Sequence, residues 1–129
     1  MGYYTYFNLR VFDIYNGERK SYISYLNEET IEDWANRNED RNVEHYVKMC
    51  KYLKDNRDAF YGIFYSNAKW YDYESSMITL SQKFPDCLFV LEGSGEEQGD
   101  LWKHYFLNGK HKKVYAVLTI PEVELEELK

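Results

Sequence analysis

The dipeptide Asn108-Gly109 constrains this chain more than any other feature. Both residue types tolerate the left-handed backbone of a two-residue turn, and a strand-like run lies on either side. Residues 101–107 and 110–120 therefore read as two antiparallel strands. Leu107 then faces Lys110, Tyr105 faces Lys112, and Lys103 faces Val114. Side chains alternate between the two faces of a strand, so this register splits the hairpin into two sets. Leu101, Tyr105, Leu107, Val114, Ala116, Leu118 and Ile120 form the set expected in the core. Trp102, His104, Phe106, His111, Lys113 and Tyr115 form the set expected at the surface.

The rest of the chain supplies partners for that hairpin. Thr5, Phe7, Leu9 and Val11 alternate with Tyr6, Asn8, Arg10 and Phe12, the pattern of a half-buried strand over residues 4–14. Asn16-Gly17 breaks it and begins a polar connection through Lys20, and the run Tyr22, Ile23, Tyr25, Leu26 fits a brief strand or a loop packed on the core. Asn27, followed by Glu28 and Glu29, is a helix entry, with acids at the positive end of the dipole. The charged residues 37–41 interrupt that helix. A second helix carries Val43, Tyr46, Val47, Cys50 and Leu53 as one apolar stripe.

Residues 59–65 (AFYGIFY) are rich in β-formers and predict a strand. Asp72 is the expected N-cap of a helix reaching Lys83, with Tyr73, Met77, Leu80 and Phe84 on its buried side and Pro85 as its stop. Residues 87–91 form a short, continuously apolar run, as in a central strand. Pro121 ends the sheet and leaves an acidic tail over 121–129. These elements predict a single α+β domain over 1–129: an antiparallel, ferredoxin-like (split βαβ) sheet with helices on one face and a C-terminal β-hairpin.

Composition narrows the function classes. The formal charge is −6, from 22 acids and 16 bases, which disfavours general nucleic-acid binding because that needs a dominant basic face. No apolar run approaches the roughly 20 residues that cross a bilayer, and residues 1–10 lack the blocks of a signal peptide. A cytoplasmic location is expected, in a reducing cytosol. There Cys50 and Cys87 read as small buried hydrophobes rather than a disulfide. Two cysteines and three scattered histidines give no zinc-ligand spacing, so neither a structural metal nor a cofactor is expected.

Three groups of residues are candidates for chemistry. The acidic glycine turn holds Glu96, Glu97 and Asp100, without the spacing of a calcium loop, and reads as a solvated acidic surface. The face carrying Trp102, His104, Phe106, His111, Lys113 and Tyr115 interleaves rings with cations; residues 103–113 hold four lysines, two histidines and no acid. Such a face suits an acidic protein surface or a stacked nucleotide. The bland alternative is that other parts of the chain cover Trp102 and Phe106. His104 and His111 lie close across the hairpin, near enough to share a ligand or a proton, but no obvious nucleophile or carboxylate completes a catalytic set.

A resemblance adds a setting. Trp70, Tyr71, Glu74 and Met77, then Leu80, Ser81, Lys83, Pro85, Asp86, Leu88 and Phe89, then residues 93–110 follow a pattern W-Y-x-x-E-x-x-M, L-S-x-K-x-P-D-x-L-F, G-x-G-E-E-x-G-D-L-W-x-x-Y-F-x-N-G-K. In this the chain resembles small proteins of phages and prophages of Firmicutes and, more distantly, YubB-type ferredoxin-like domains. The resemblance covers the C-terminal half and the first strand, with no counterpart for residues 16–67. It implies a fold and a genomic neighbourhood but assigns no catalytic residue. The expected function is then a non-enzymatic accessory protein that binds and inhibits a host protein, such as a defence nuclease, in the manner of anti-CRISPR proteins. Its surface would be the aromatic-basic hairpin face, or the acidic turn and tail as a phosphate mimic. The alternatives are a nucleotide-binding domain using the same hairpin face and, last, an enzyme using His104 and His111.

Overall fold

The computed structural model describes residues 3–15, 18–36 and 44–129, with residues 15 and 18–24 described through their backbone alone. In chain order the elements are β1 (Thr5–Tyr15), β2 (Glu18–Leu26), α1 (Glu28–Ala35), α2 (Glu44–Asp55), α3 (Tyr61–Tyr65), β3 (Asn67–Ala68), α4 (Tyr73–Lys83), β4 (Cys87–Gly95), β5 (Leu101–Leu107) and β6 (Lys110–Tyr115). The strands form one sheet in the order β2-β1-β4-β5-β6, and the two-residue β3 pairs with the start of β1. Every pairing is antiparallel. The molecule is thus α+β with an open antiparallel sheet. Since β2 and β4 both run opposite to β1, which lies between them, they are parallel to each other, and the four α-helices of the described residues fall in the connection joining them.

The helices cover one face of this sheet. Phe7, Leu9 and Val11 of β1, Phe89 and Leu91 of β4, and Trp102 and Phe106 of β5 meet Ile31 of α1, Met49 and Leu53 of α2, Ile63 and Phe64 of α3, and Met77 and Leu80 of α4. Among the described residues, the second face holds a small buried apolar cluster of Phe12, Leu88 and Val90, flanked by Ile14 and Tyr105, to which no helix contributes. No helix among the described residues is long and apolar enough to cross a membrane.

Local chemistry explains most of the boundaries. The Asn27 side chain accepts from the Thr30 backbone N–H at 3.0 Å, and Thr30 Oγ1 accepts from the Asn27 N–H at 2.8 Å; this reciprocal box starts α1. Asp72 precedes α4 as expected but makes no side-chain cap bond. Asn108 and Gly109 adopt φ of 46° and 81°, the left-handed pair of a two-residue turn whose twist matches its strands. The pairs Leu107–Lys110, Tyr105–Lys112 and Lys103–Val114 have the predicted register. The turn is also anchored, because the Gly109 N–H donates to Oγ of the buried Ser81 on α4 at 2.9 Å.

Four expectations are corrected. The hairpin faces are inverted: Trp102, His104 and Phe106 are buried at 8%, 2% and 0% exposure, whereas Leu101, Leu107 and Val114 are exposed. The gap between sheet and helices calls for large side chains, and the rings of β5 fill it better than leucine or valine. Residues 59–65 are not a strand; a 3-10 turn at Arg57–Ala59 leads into α3. Phe60, Ile63 and Phe64 recur at helical spacing and are all buried, so packing overrides β-propensity. β6 ends at Tyr115 rather than at 120; residues 116–129 lie exposed, although the Ala116 N–H still donates to the Leu101 carbonyl of β5 at 2.8 Å. Residues 18–20 belong to β2, which settles the strand-or-loop alternative for residues 22–26 as strand. The Asn16-Gly17 break and the interruption at 37–41 lie outside the described residues.

Candidate functional site

The inverted faces bring together a polar chain, running from the core to the rim, that sequence spacing only half revealed. β5 and β6 pair so that His104 and His111 stand near each other on the covered side, while α4 lays its first turn across them. His104 Nε2 lies 2.8 Å from His111 Nδ1, and His104 Nδ1 lies 2.9 Å from the Tyr73 hydroxyl. At the outer end, His111 Nε2 meets Oε1 of Glu74 at 3.2 Å. Glu74 supplies a carboxylate that spacing along the hairpin does not reveal.

The proton positions follow from the ends of this chain. A carboxylate oxygen accepts, so His111 donates from Nε2 and leaves Nδ1 to accept from His104. His104 then donates from Nε2 and accepts from the Tyr73 hydroxyl at Nδ1. Four groups form one directional run, Tyr73 to His104 to His111 to Glu74, with both nitrogens of each ring satisfied. Burial, reinforced by the neighbouring His111, pushes the His104 imidazole down to about 4, so it is neutral at ordinary pH.

Packing holds the inner half of the run rigid. The His104 ring stacks on Phe106 with centroids 4.2 Å apart and planes 24° apart. Tyr73 stacks on Trp102 at 5.2 Å and 18°. The Lys113 ammonium sits 4.2 Å from the Trp102 ring centroid and 5.1 Å from that of Tyr115. Burial raises the Tyr73 phenol, opposed by its hydrogen bond with Lys113. Gly93 faces Trp102 across the β4–β5 pair, and a Cβ there would fall within the indole ring.

A second His-containing group joins β1, α2 and β4. His45 Nε2 lies 3.2 Å from Asp13 Oδ1, and the Cys87 thiol donates to that same oxygen at 3.7 Å. A nucleophile–base–orienter set would need the imidazole between thiol and carboxylate; here the carboxylate is in the middle. Burial, with Asp13 adding to it, also pushes the Cys87 thiol up to about 12, which leaves no thiolate at neutral pH.

The uncovered face of the sheet is the other candidate. A cleft of about 380 Å³ opens there, lined by Tyr6, Glu92, Leu101, Lys103, Val114 and Tyr115 among others. Tyr6, Leu101 and Val114 are 60%, 47% and 41% exposed. Residues directly opposite in an antiparallel pair share a face, so Lys110 and Lys112 join Lys103 on this side.

The six residues expected at one surface are therefore divided. Trp102, His104 and Phe106 are core, His111 and Lys113 lie at the rim of the covered side, and Tyr115 is exposed. The acidic trio is divided too. Asp100 accepts from the Tyr3 hydroxyl at 2.7 Å and Glu96 accepts from the Tyr4 N–H at 3.1 Å, tying down the start of the chain, while the Glu97 side chain is exposed. No family model, curated protein or solved structure matches this chain at a significant level.

Proposed function

We propose that this chain is a non-enzymatic protein-binding module whose docking surface is the uncovered sheet face. The observation that carries this reading is the apolar and basic character of that face: exposed Tyr6, Leu101, Leu107 and Val114 beside Lys103, Lys110 and Lys112. An exposed apolar patch rimmed by charge is the signature of an interaction surface, and the cations select an acidic partner. The resemblance to phage and prophage proteins of Firmicutes supplies the setting, a cytosolic accessory protein that inhibits a host protein such as a defence nuclease. The docking role thus passes from the face bearing Trp102 to the opposite face of the same hairpin. A ferredoxin-like origin of the sheet belongs to this proposal, supported by the single split unit in which β1 separates the parallel β2 and β4.

The test is capture of a stoichiometric partner from a Firmicutes lysate, followed by its binding constant for variants. Leu101→Glu and Val114→Glu should each abolish binding without loss of folding. Tyr65→Glu, on an exposed residue of the helical side, should leave binding intact. Binding that survives both strand changes removes this face from the claim. The nucleotide alternative predicts a thermal shift, since a ligand at 100 times its Kd adds about 2.7 kcal/mol. A shift lost on Val114→Glu would favour that reading over a protein partner.

A further inference from the structure

We propose that His104, His111 and Glu74 form a binding site for one divalent transition-metal ion of the zinc class. One donor atom from each residue lies within 4.8 Å of the others. Two imidazoles and a carboxylate suit zinc, cobalt or nickel, whereas magnesium and calcium take oxygen ligands. Three protein ligands leave a fourth position for water or a ligand atom.

The ion requires the two ring nitrogens to part and Glu74 to leave His111 Nε2 for the metal, and both movements fall on groups free to make them. Zinc–nitrogen bonds of about 2.0–2.1 Å in a tetrahedral arrangement put two ligand nitrogens roughly 3.3 Å apart. The His104–His111 nitrogens, now 2.8 Å apart and sharing a proton, must therefore separate by about half an ångström. His104 is fixed by burial, by its stack on Phe106 and by Tyr73 at Nδ1. The His111 and Glu74 side chains are 34% and 51% exposed and can swing. On binding, the His104 proton moves from Nε2 to Nδ1 and is donated to the Tyr73 oxygen. That bond orients the ring as outer partners of metal-bound histidines do, and no net proton is released. Lys113, paired with His104 across β5 and β6, is a positive charge beside the site; it is held against the rings of Trp102 and Tyr115, and Glu74 offsets it.

The Asp13, His45 and Cys87 group also brings donor atoms within 4.8 Å and serves as the internal competitor. It is the poorer site because its thiol must lose a proton held firmly in an apolar setting, and its carboxylate oxygen already serves two donors.

The full chain, stripped with a chelator, is titrated with zinc chloride by calorimetry and with cobalt chloride by visible absorption. The expected result is one ion per chain, a tetrahedral cobalt spectrum, and affinity at least about tenfold weaker in His111→Gln and in Glu74→Gln. Both changes lie on exposed side chains, and far-ultraviolet circular dichroism checks that the variants fold. His45→Gln should bind like the parent. No saturable binding, affinity unchanged in His111→Gln, or loss confined to His45→Gln would each overturn the proposal. The protein-binding reading stands or falls separately, because its variants lie on the other face of the sheet.

Discussion

Gly93→Ala should be among the most damaging single-methyl additions to this protein. Gly93 lies directly opposite Trp102, and an added Cβ would overlap Cε2, Cζ2 and Cη2 of the indole. The ring has little room to retreat. Tyr73 stacks behind it at 5.2 Å, Phe7 meets it edge-on at 6.1 Å, and Lys113 caps it at 4.2 Å. Two bounds follow. If neighbours shift and the ring stays, the cost is that of overpacking, about 1–3 kcal/mol. If the ring is expelled, the cost approaches that of deleting a buried tryptophan, about 3–5 kcal/mol. Alanine in a strand regains roughly 0.5–1 kcal/mol over glycine through chain entropy. The net loss should therefore lie between near zero and about 2.5 kcal/mol if the ring stays, and at about 2–4.5 kcal/mol if it is expelled.

Urea unfolding of a double-mutant cycle isolates the cause. Trp102→Leu removes the six-membered ring that the new methyl meets, so Gly93→Ala in that background should be neutral or slightly stabilising. The coupling energy should exceed about 1 kcal/mol, above the few tenths expected of independent sites. An equal cost of Gly93→Ala in both backgrounds would refute the close approach as the reason for glycine at 93.

Two further predictions concern protonation and thiol chemistry. With chelator present, stability should fall as pH drops from about 6.5 towards 4: the unfolded His104 takes up its proton near 6.5, the folded one only near 4. The slope approaches 1.4 kcal/mol per pH unit and the total about 3 kcal/mol, and His104→Gln should flatten it; parallel pH curves for parent and variant would count against a buried neutral imidazole. Burial pushes both Cys50 and Cys87 to about 12, so neither should react with a thiol reagent at pH 8 until denaturant is added. Rapid labelling of either in the native state would contradict the packing.

What the sequence disclosed was local chemistry, and what it concealed was which side of each element meets another. The Asn27 cap, the Asn108-Gly109 turn, the hairpin register and the Pro85 stop depend on neighbours in sequence, and each is legible there. The hairpin faces are different, because both faces of β5 are rich in apolar atoms. Counting aliphatic residues as core and cations as surface chose the wrong set, since the cation Lys113 belongs to the edge strand, where the helical layer thins out. Lys113 can then be inward in register yet lie at the rim with its charge over rings. The spacing of Phe60, Ile63 and Phe64 carried a helical signal that the aromatic composition of 59–65 masked.

Glu74 shows why the polar chain was only half visible. His104 and His111 are joined by a turn whose geometry two residues determine, so their proximity follows from register alone. The third member comes from another layer, 30 positions before His104 along the chain. Its placement depends on α4 burying Met77 and Leu80 and on Ser81 gripping the Gly109 turn, which fixes the helix against β5 and β6. Tyr73 enters the core at the first turn of that helix, and Glu74, one residue on, is carried to the rim where His111 ends. The same docking leaves the other side of β5 and β6 uncovered. One hairpin therefore presents a polar run that leads from the core to the rim on one side and an apolar-basic surface on the other. The side chains that make each are distinct, so substitutions at Leu101 or Val114 and at Glu74 or His111 should separate partner binding from metal binding.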